Sequence, residues 1–88
     1  MDDGKIIIYG TTWCGDCRRA RNFLDKHQIA YQFINIDTDK EAEQFVLKVN
    51  KGMRSVPTIV FEDGSILVEP TNQALATKLG INIQSFYF

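Results

Sequence analysis

Apolar side chains along this chain switch between continuous or alternating runs and helical spacing, and the switches mark out its elements. Ile6-Ile7-Ile8-Tyr9 follows Lys5 as an unbroken apolar run, the pattern of a strand covered on both faces inside a sheet. From Cys14 to about His27, the positions Cys17, Ala20, Phe23 and Leu24 recur at helical spacing, with Arg18, Arg19, Arg21, Asp25 and Lys26 on the other faces. That spacing predicts an amphipathic first helix. Tyr31-Gln32-Phe33-Ile34-Asn35-Ile36 is rich in strand formers, and a strand that follows a crossover helix closes a right-handed, parallel β-α-β unit.

Asp37, Thr38 and Asp39 offer N-caps for a second helix in which Ala42, Phe45, Val46 and Val49 share one face, and Asn50-Lys51-Gly52 ends it. Val56 to Phe61 and Ile66 to Val68 flank Glu62-Asp63-Gly64-Ser65, a hairpin signal, and Pro57 has to stand at the start of its strand because it lacks an N–H. Thr71 then caps a last helix carrying Leu75 and Leu79 and closed by Gly80. The predicted order is β-α-β-α-β-β-α: an α/β fold with a four-stranded mixed sheet flanked by three helices. We expect one domain over residues 1–88, with its core at about 5–80. The tail 81–88 alternates and ends in three aromatics, open to packing back, adding an edge strand or making a dimer contact.

Composition narrows the function. A net charge of −1 and a pI near 5.7, with both signs scattered, leave no basic footprint for nucleic acid or anionic lipid. The longest apolar run falls far short of the about 20 residues that span a bilayer, and the N-terminus is acidic, so no membrane segment is expected and the location expected is cytoplasmic. The chain has two cysteines, three positions apart, which would close almost no loop and so staple little.

Those cysteines carry the chemistry. Trp13-Cys14-Gly15-Asp16-Cys17 lies where the first strand runs into the first helix, which puts Cys14 at a helix N-terminus, where free N–H groups and the positive dipole end favour a thiolate. Cys14 is the expected nucleophile and Cys17, one turn in, the resolving thiol, with a small core residue as the plain alternative for Cys17. A tetrahedral zinc site needs four N or S ligands; beyond the cysteines the chain offers His27 and carboxylates, so a metal would need two chains sharing ligands. His27 lies about 20 Å along the helix from Cys14, too far to act as its base. Trp13 reads as an anchor for the turn, a contact for substrate, or both. Arg19 and Arg21 read as solvated, and Arg18 remains open.

The C-x-x-C at a strand-to-helix junction, the Val56-Pro57 entry to the third strand and the element order together resemble the thioredoxin superfamily, and the length resembles the glutaredoxins most. Thr11-Thr12-Trp13-Cys14-Gly15, Asn50-Lys51-Gly52-Met53-Arg54-Ser55-Val56-Pro57-Thr58 and Phe61-Glu62-Asp63-Gly64-Ser65 look like the glutaredoxin-like mycoredoxins, a resemblance spanning about Lys5 to Gly80. The resemblance implies that Cys14 attacks a disulfide, that Pro57 is cis, and that the Val56 backbone pairs with substrate. Trp13 and Arg54 are the further substrate-binding candidates. It also implies a thiol–disulfide oxidoreductase acting on protein disulfides or mixed disulfides, without a resident cofactor or metal; a monomer is expected, though the sequence itself does not name the oligomeric state. A low-molecular-weight thiol such as mycothiol or glutathione would be its electron donor; an Fe–S or zinc module shared between two chains is the alternative. Many glutaredoxins that use glutathione have Pro-Tyr or Pro-Phe between the cysteines, and a Gly-Gly followed by an acidic residue at the last helix. Here Gly15-Asp16 and Glu69-Pro70-Thr71-Asn72 stand instead, which points away from glutathione.

Overall fold

The structure is a computed structural model that describes residues 5–82. Its elements follow the predicted order: β1 (Ile6–Gly10), α1 (Gly15–Lys26), β2 (Tyr31–Asn35), α2 (Lys40–Val49), β3 (Thr58–Val60), β4 (Ile66–Val68) and α3 (Asn72–Leu79). The sheet order is β2-β1-β3-β4. β1 and β2 are parallel, with Gly10 opposite Asn35, and the β1/β3 and β3/β4 pairs are antiparallel. Because Tyr9 faces Thr58 in that register, the loop leaving β1 and the loop entering β3 emerge at the same edge of the sheet. The motif Cys14–Cys17 and Val56-Pro57 therefore meet, though 39 to 43 positions separate them.

Strand periodicity divides the core. Ile6 and Ile8 of β1 point to one face, where they pack with Ala20, Phe23 and Leu24 of α1, Ile59 and Phe61, and Leu75 and Ala76 of α3. Ile36, Ala42 and Val46 form the second cluster on the α2 side, with Tyr9, Ile34, Phe45 and Val56 against it. Ile8, Leu24, Ile59, Leu75 and Val46 lie among the largest fully buried side chains, each worth about 1.5–3 kcal/mol of burial. The unbroken apolar run of β1 is thus fully covered on one face only. Two helices close over Ile6 and Ile8, whereas the single helix α2 leaves Ile7 and Tyr9 half-buried.

Several boundaries move for local reasons. Cys14 is extended, with φ −87° and ψ 121°, so it caps α1 rather than beginning it. Asp39, of the three candidate caps, accepts from the Ala42 N–H at 3.0 Å. β3 is shorter than predicted: Pro57 has no N–H, and the Phe61 N–H turns into the hairpin to donate to the Ser65 carbonyl at 2.9 Å. Thr71 caps α3 and Gly80, at φ 73°, closes it in the left-handed conformation that suits glycine. Ile81 packs on the first cluster, and the rest of the aromatic tail, from residue 83, lies outside the described residues. Among the described residues no helix is long and apolar enough to cross a membrane.

Candidate functional site

The site is built where β1 ends, α1 begins and β3 is entered. As the α1 cap, Cys14 turns its sulfur back over the helix end and accepts from the Cys17 N–H at 3.3 Å. The same Sγ lies 3.9 Å from the Val56 carbonyl oxygen, to which its thiol donates. The Val56–Pro57 bond is cis, as the resemblance implied. Cys14 is half-buried and Cys17 has no exposed surface.

Burial is the main reason that the Cys17 thiol is pushed up to about 12. The hydrogen bond with Cys14 and the nearby negative charge of Cys14 and Asp16 add to this, while a backbone hydrogen bond from Thr11 pulls the other way. Cys17 is a poor acid in the resting dithiol, and both its thiol and its N–H face the first cysteine. Thr11 Oγ1, in the loop leaving β1, is buried without a partner among the described residues.

The loop carrying Val56 is held by Asn50 and Thr58, which bound the stretch that carries the resemblance but to which the sequence assigned no role at the site. Asn50 Nδ2 donates to the Val46 carbonyl at 2.9 Å and to Thr58 Oγ1 at 3.1 Å, and Thr58 Oγ1 donates to the Ser55 carbonyl at 2.8 Å. The Glu69 N–H donates to the Pro57 carbonyl at 2.8 Å. These bonds fix the backbone on both sides of Val56. The signal in the sequence is that both polar residues lie in the Asn50–Thr58 stretch, at the ends of a predicted helix and strand, a placement that does not reveal their bonds to each other and to Ser55.

Trp13 is 68% exposed, yet its indole Nε1 donates to Asp37 Oδ2 at 2.9 Å. Arg54 donates to the other Asp37 oxygen and, through Nε, to Glu43 Oε2 at 2.8 Å. The hydrogen bonds from Arg54 and then Trp13 hold the Asp37 carboxyl below the usual carboxylate range. Trp13 is therefore tethered at its edge and open on its faces, and Arg54 reaches the site through Asp37 with its charge already matched by two carboxylates.

The arginines of α1 depart from the sequence reading. Arg19 is not simply solvated: Nη1 donates to Asn72 Oδ1 at 2.9 Å, and Nη2 donates to the Pro70 carbonyl at 3.1 Å and to Asp16 at 3.3 Å. It ties the motif helix to the start of α3. Arg21 lies over the Phe33 ring, 4.0 Å from its centroid. Helical spacing reveals which face a residue occupies, but not that β2 and α3 pass beside that face. Arg18 is exposed, and His27 packs on Phe23 with ring centroids 4.5 Å apart. Among the described residues no group of three or more His, Cys, Asp or Glu is placed to hold a metal ion.

A C-x-x-C cap facing a cis-proline loop, on a β-α-β-α-β-β-α sheet, is the arrangement of a thioredoxin-like redox protein. Methanosarcina acetivorans methanoredoxin superposes with a TM-score of 0.75 at 21% identity, covering 90% of this chain and 87% of that one, which shows the fold. The sequence model of the glutaredoxin family matches residues 6–66. A protein of Mycobacterium tuberculosis named as a glutaredoxin is 42% identical over 79 residues, 90% of this chain and 94% of that one. Mycoredoxin 1 of Corynebacterium glutamicum is 36% identical over 75 residues, 85% of this chain and 92% of that one. The chain belongs to the glutaredoxin family, and family and fold support a thiol–disulfide oxidoreductase.

Proposed function

We propose that this chain reduces protein disulfides or mixed disulfides by a dithiol route through Cys14 and Cys17. The observation that carries the reading is the placement of one sulfur: Cys14 Sγ, a helix cap within 3.3 Å of the Cys17 N–H, faces the Val56 carbonyl at 3.9 Å. Cys14 as thiolate attacks one sulfur of a substrate disulfide, forming a mixed disulfide and releasing the other substrate sulfur as a thiolate, which takes up a proton. Cys17 loses its proton and attacks Cys14 Sγ; the mixed disulfide breaks, the second substrate sulfur leaves as a thiol, and the Cys14–Cys17 disulfide remains. Two electrons and two protons pass from the dithiol to the substrate.

The backbone of Val56 pairs with the substrate chain beside the attacked sulfur, and Trp13 offers an open ring face at the rim. A second thiol then has to reduce the protein disulfide. In glutaredoxins the amino group of glutathione is met by an acidic residue at the last helix, but the first turn of α3 has none and Asn72 Oδ1 there is taken by Arg19. A cleft of about 210 Å³ lined by Asp37, Thr38, Lys40, Glu43 and Arg54 shares Asp37 with the Trp13 hydrogen bond. It sets hydrogen-bond donors beside acceptors, which suits a hydroxyl-rich head group. Both features support a sugar-bearing thiol such as mycothiol as donor, with a flavoprotein reductase as the other source of electrons.

The test is turnover of a mixed-disulfide substrate by wild type, Cys14→Ser and Cys17→Ser with glutathione, mycothiol and thioredoxin reductase at matched concentration. Cys14→Ser should be inactive, and Cys17→Ser should accumulate the mixed disulfide. Glutathione should trail the best donor in kcat/KM by about tenfold or more, the loss of one charge-assisted contact of about 1.5–3 kcal/mol. Activity in Cys14→Ser would overturn the dithiol assignment, and glutathione matching or exceeding the other donors would overturn the donor.

A further inference from the structure

Gly10 ends β1 on the same face as Ile6 and Ile8, the face that meets α1. At Ile6 and Ile8 the side chain fills the core, but at position 10 that volume is taken by a sulfur from the neighbouring helix. A Cβ placed on Gly10 would stand 2.5 Å from Cys17 Sγ, 3.3 Å from Cys17 Cβ and 3.3 Å from the Phe33 ring. No real Cβ approaches a sulfur that closely. Gly10 itself is buried, and its conformation calls for no positive φ, so the glycine is explained by the space it leaves and not by its backbone. The far wall of that space is the Phe33 ring, on which Arg21 stacks at 4.0 Å.

We propose that Gly10 is a positioning residue for the resolving step: the notch it leaves at the end of β1 holds Cys17 Sγ in the reduced protein and thereby stabilises the dithiol over the disulfide. The inference rests on the dithiol reading of the site. Forming a Cys14–Cys17 bond requires Cys17 Sγ to close on Cys14 from a hydrogen-bonded to a bonded separation, and on this proposal that shift relieves its contact with position 10. The glycine therefore acts on one redox state. A methyl group at position 10 collides with the sulfur of the dithiol and much less with the bonded sulfur of the disulfide. The burial that pushes the Cys17 thiol up has the same origin, since the sulfur sits where the strand has no side chain.

The test is the dithiol–disulfide equilibrium of wild type and Gly10→Ala against a dithiothreitol couple, read by alkylation and mass. The exchange is balanced, with protein dithiol and oxidised dithiothreitol giving protein disulfide and reduced dithiothreitol. Gly10→Ala should favour the disulfide by tenfold or more, a potential about 30 mV more negative. In reduced protein, Gly10→Ala should also lower the denaturation midpoint, and most of that loss should vanish in a Cys17→Ala background, where the obstructing sulfur is gone. An unchanged potential, or an equal loss of stability in both backgrounds, overturns the proposal. If reduced Gly10→Ala does not fold, the proposal requires that it fold once oxidised or in the Cys17→Ala background; failure in both overturns it. A wild-type protein with no Cys14–Cys17 couple at all would instead defeat the dithiol reading, an outcome visible before any variant is made.

Discussion

Below about pH 9 the Cys17 sulfur should be almost wholly a thiol, and removing its neighbours one at a time should show why. An ordinary cysteine at 9.0 is about one part in a hundred thiolate at pH 7, whereas a thiol pushed up to about 12 is about one part in a hundred thousand. Three causes raise it: burial first, then the hydrogen bond and charge of Cys14, then the charge of Asp16. Cys14→Ala deletes the second cause and leaves burial in place. Asp16→Asn in that background deletes the third.

The assay is alkylation of Cys17 in folded Cys14→Ala protein from pH 7 to 11, with the urea-unfolded chain as reference. Poor access lowers the rate equally at every pH, whereas a raised pKa moves the bend of the profile to higher pH, so the two are separable. The rate in folded protein should climb about tenfold per pH unit beyond pH 9, where the unfolded chain levels off. Adding Asp16→Asn should move the bend to lower pH. A folded-state profile that levels off at or below pH 9 would refute the assignment of burial as the main cause. The same shift has a consequence for turnover. On the proposed dithiol route, Cys14 bonded to substrate carries no charge and no thiol, so part of what holds the Cys17 proton would be gone when that proton has to leave.

Leu75→Ala empties a fully buried position where α3 meets the sheet, and urea denaturation should show a loss of about 2–5 kcal/mol; a loss below 1 kcal/mol would mean that α3 contributes little to the core. Arg19→Ala removes the tie between α1 and the start of α3, which should cost about 1 kcal/mol or less and speed amide exchange in the first turn of α3, and unchanged exchange would count against the tie. The Asp37 carboxyl is held below its ordinary 3.8, so its contribution is present above that pH and lost as pH falls through the lower folded value. Emission from Trp13, the one tryptophan of the chain, should therefore change only below about pH 3.8, and Asp37→Asn should abolish that acid transition.

The element order was legible in the sequence because each element announces itself locally: a strand run, a helical period, a cap, an Asp-Gly turn. Cys14 and Cys17 were legible for the same reason, since strand end, motif and helix start lie in one stretch of chain. Their depth was less so. Period two along Ile6-Ile7-Ile8-Tyr9-Gly10 puts Gly10 on the α1 face, yet a glycine at a strand end reads as the start of a turn until the helix is laid across it. Arg19 and Arg21 failed for a related reason. Both occupy the polar face that the helical period assigns them, but Asn72 and Phe33, 53 and 12 positions away, arrive beside that face only when the chain has folded.

The same division runs through the site. Position along the chain decides that one sulfur caps a helix and that another follows one turn later, and this makes a reactive pair possible. Register decides what the pair can do, because pairing Tyr9 with Thr58 brings the Val56 carbonyl to one sulfur while period two along β1 leaves room at Gly10 for the other. The two sulfurs thus meet opposite fates from one strand: its last residues lead to Cys14 at the half-buried cap of α1, and the missing side chain at its end leaves room for Cys17 inside. A slip of one residue in that strand would send the notch to the α2 side and leave Cys17 against the side chain of Tyr9 or Thr11. The asymmetry between the two cysteines, on which the proposed attacking and resolving roles rest, is set by the sheet as much as by the four residues of the motif.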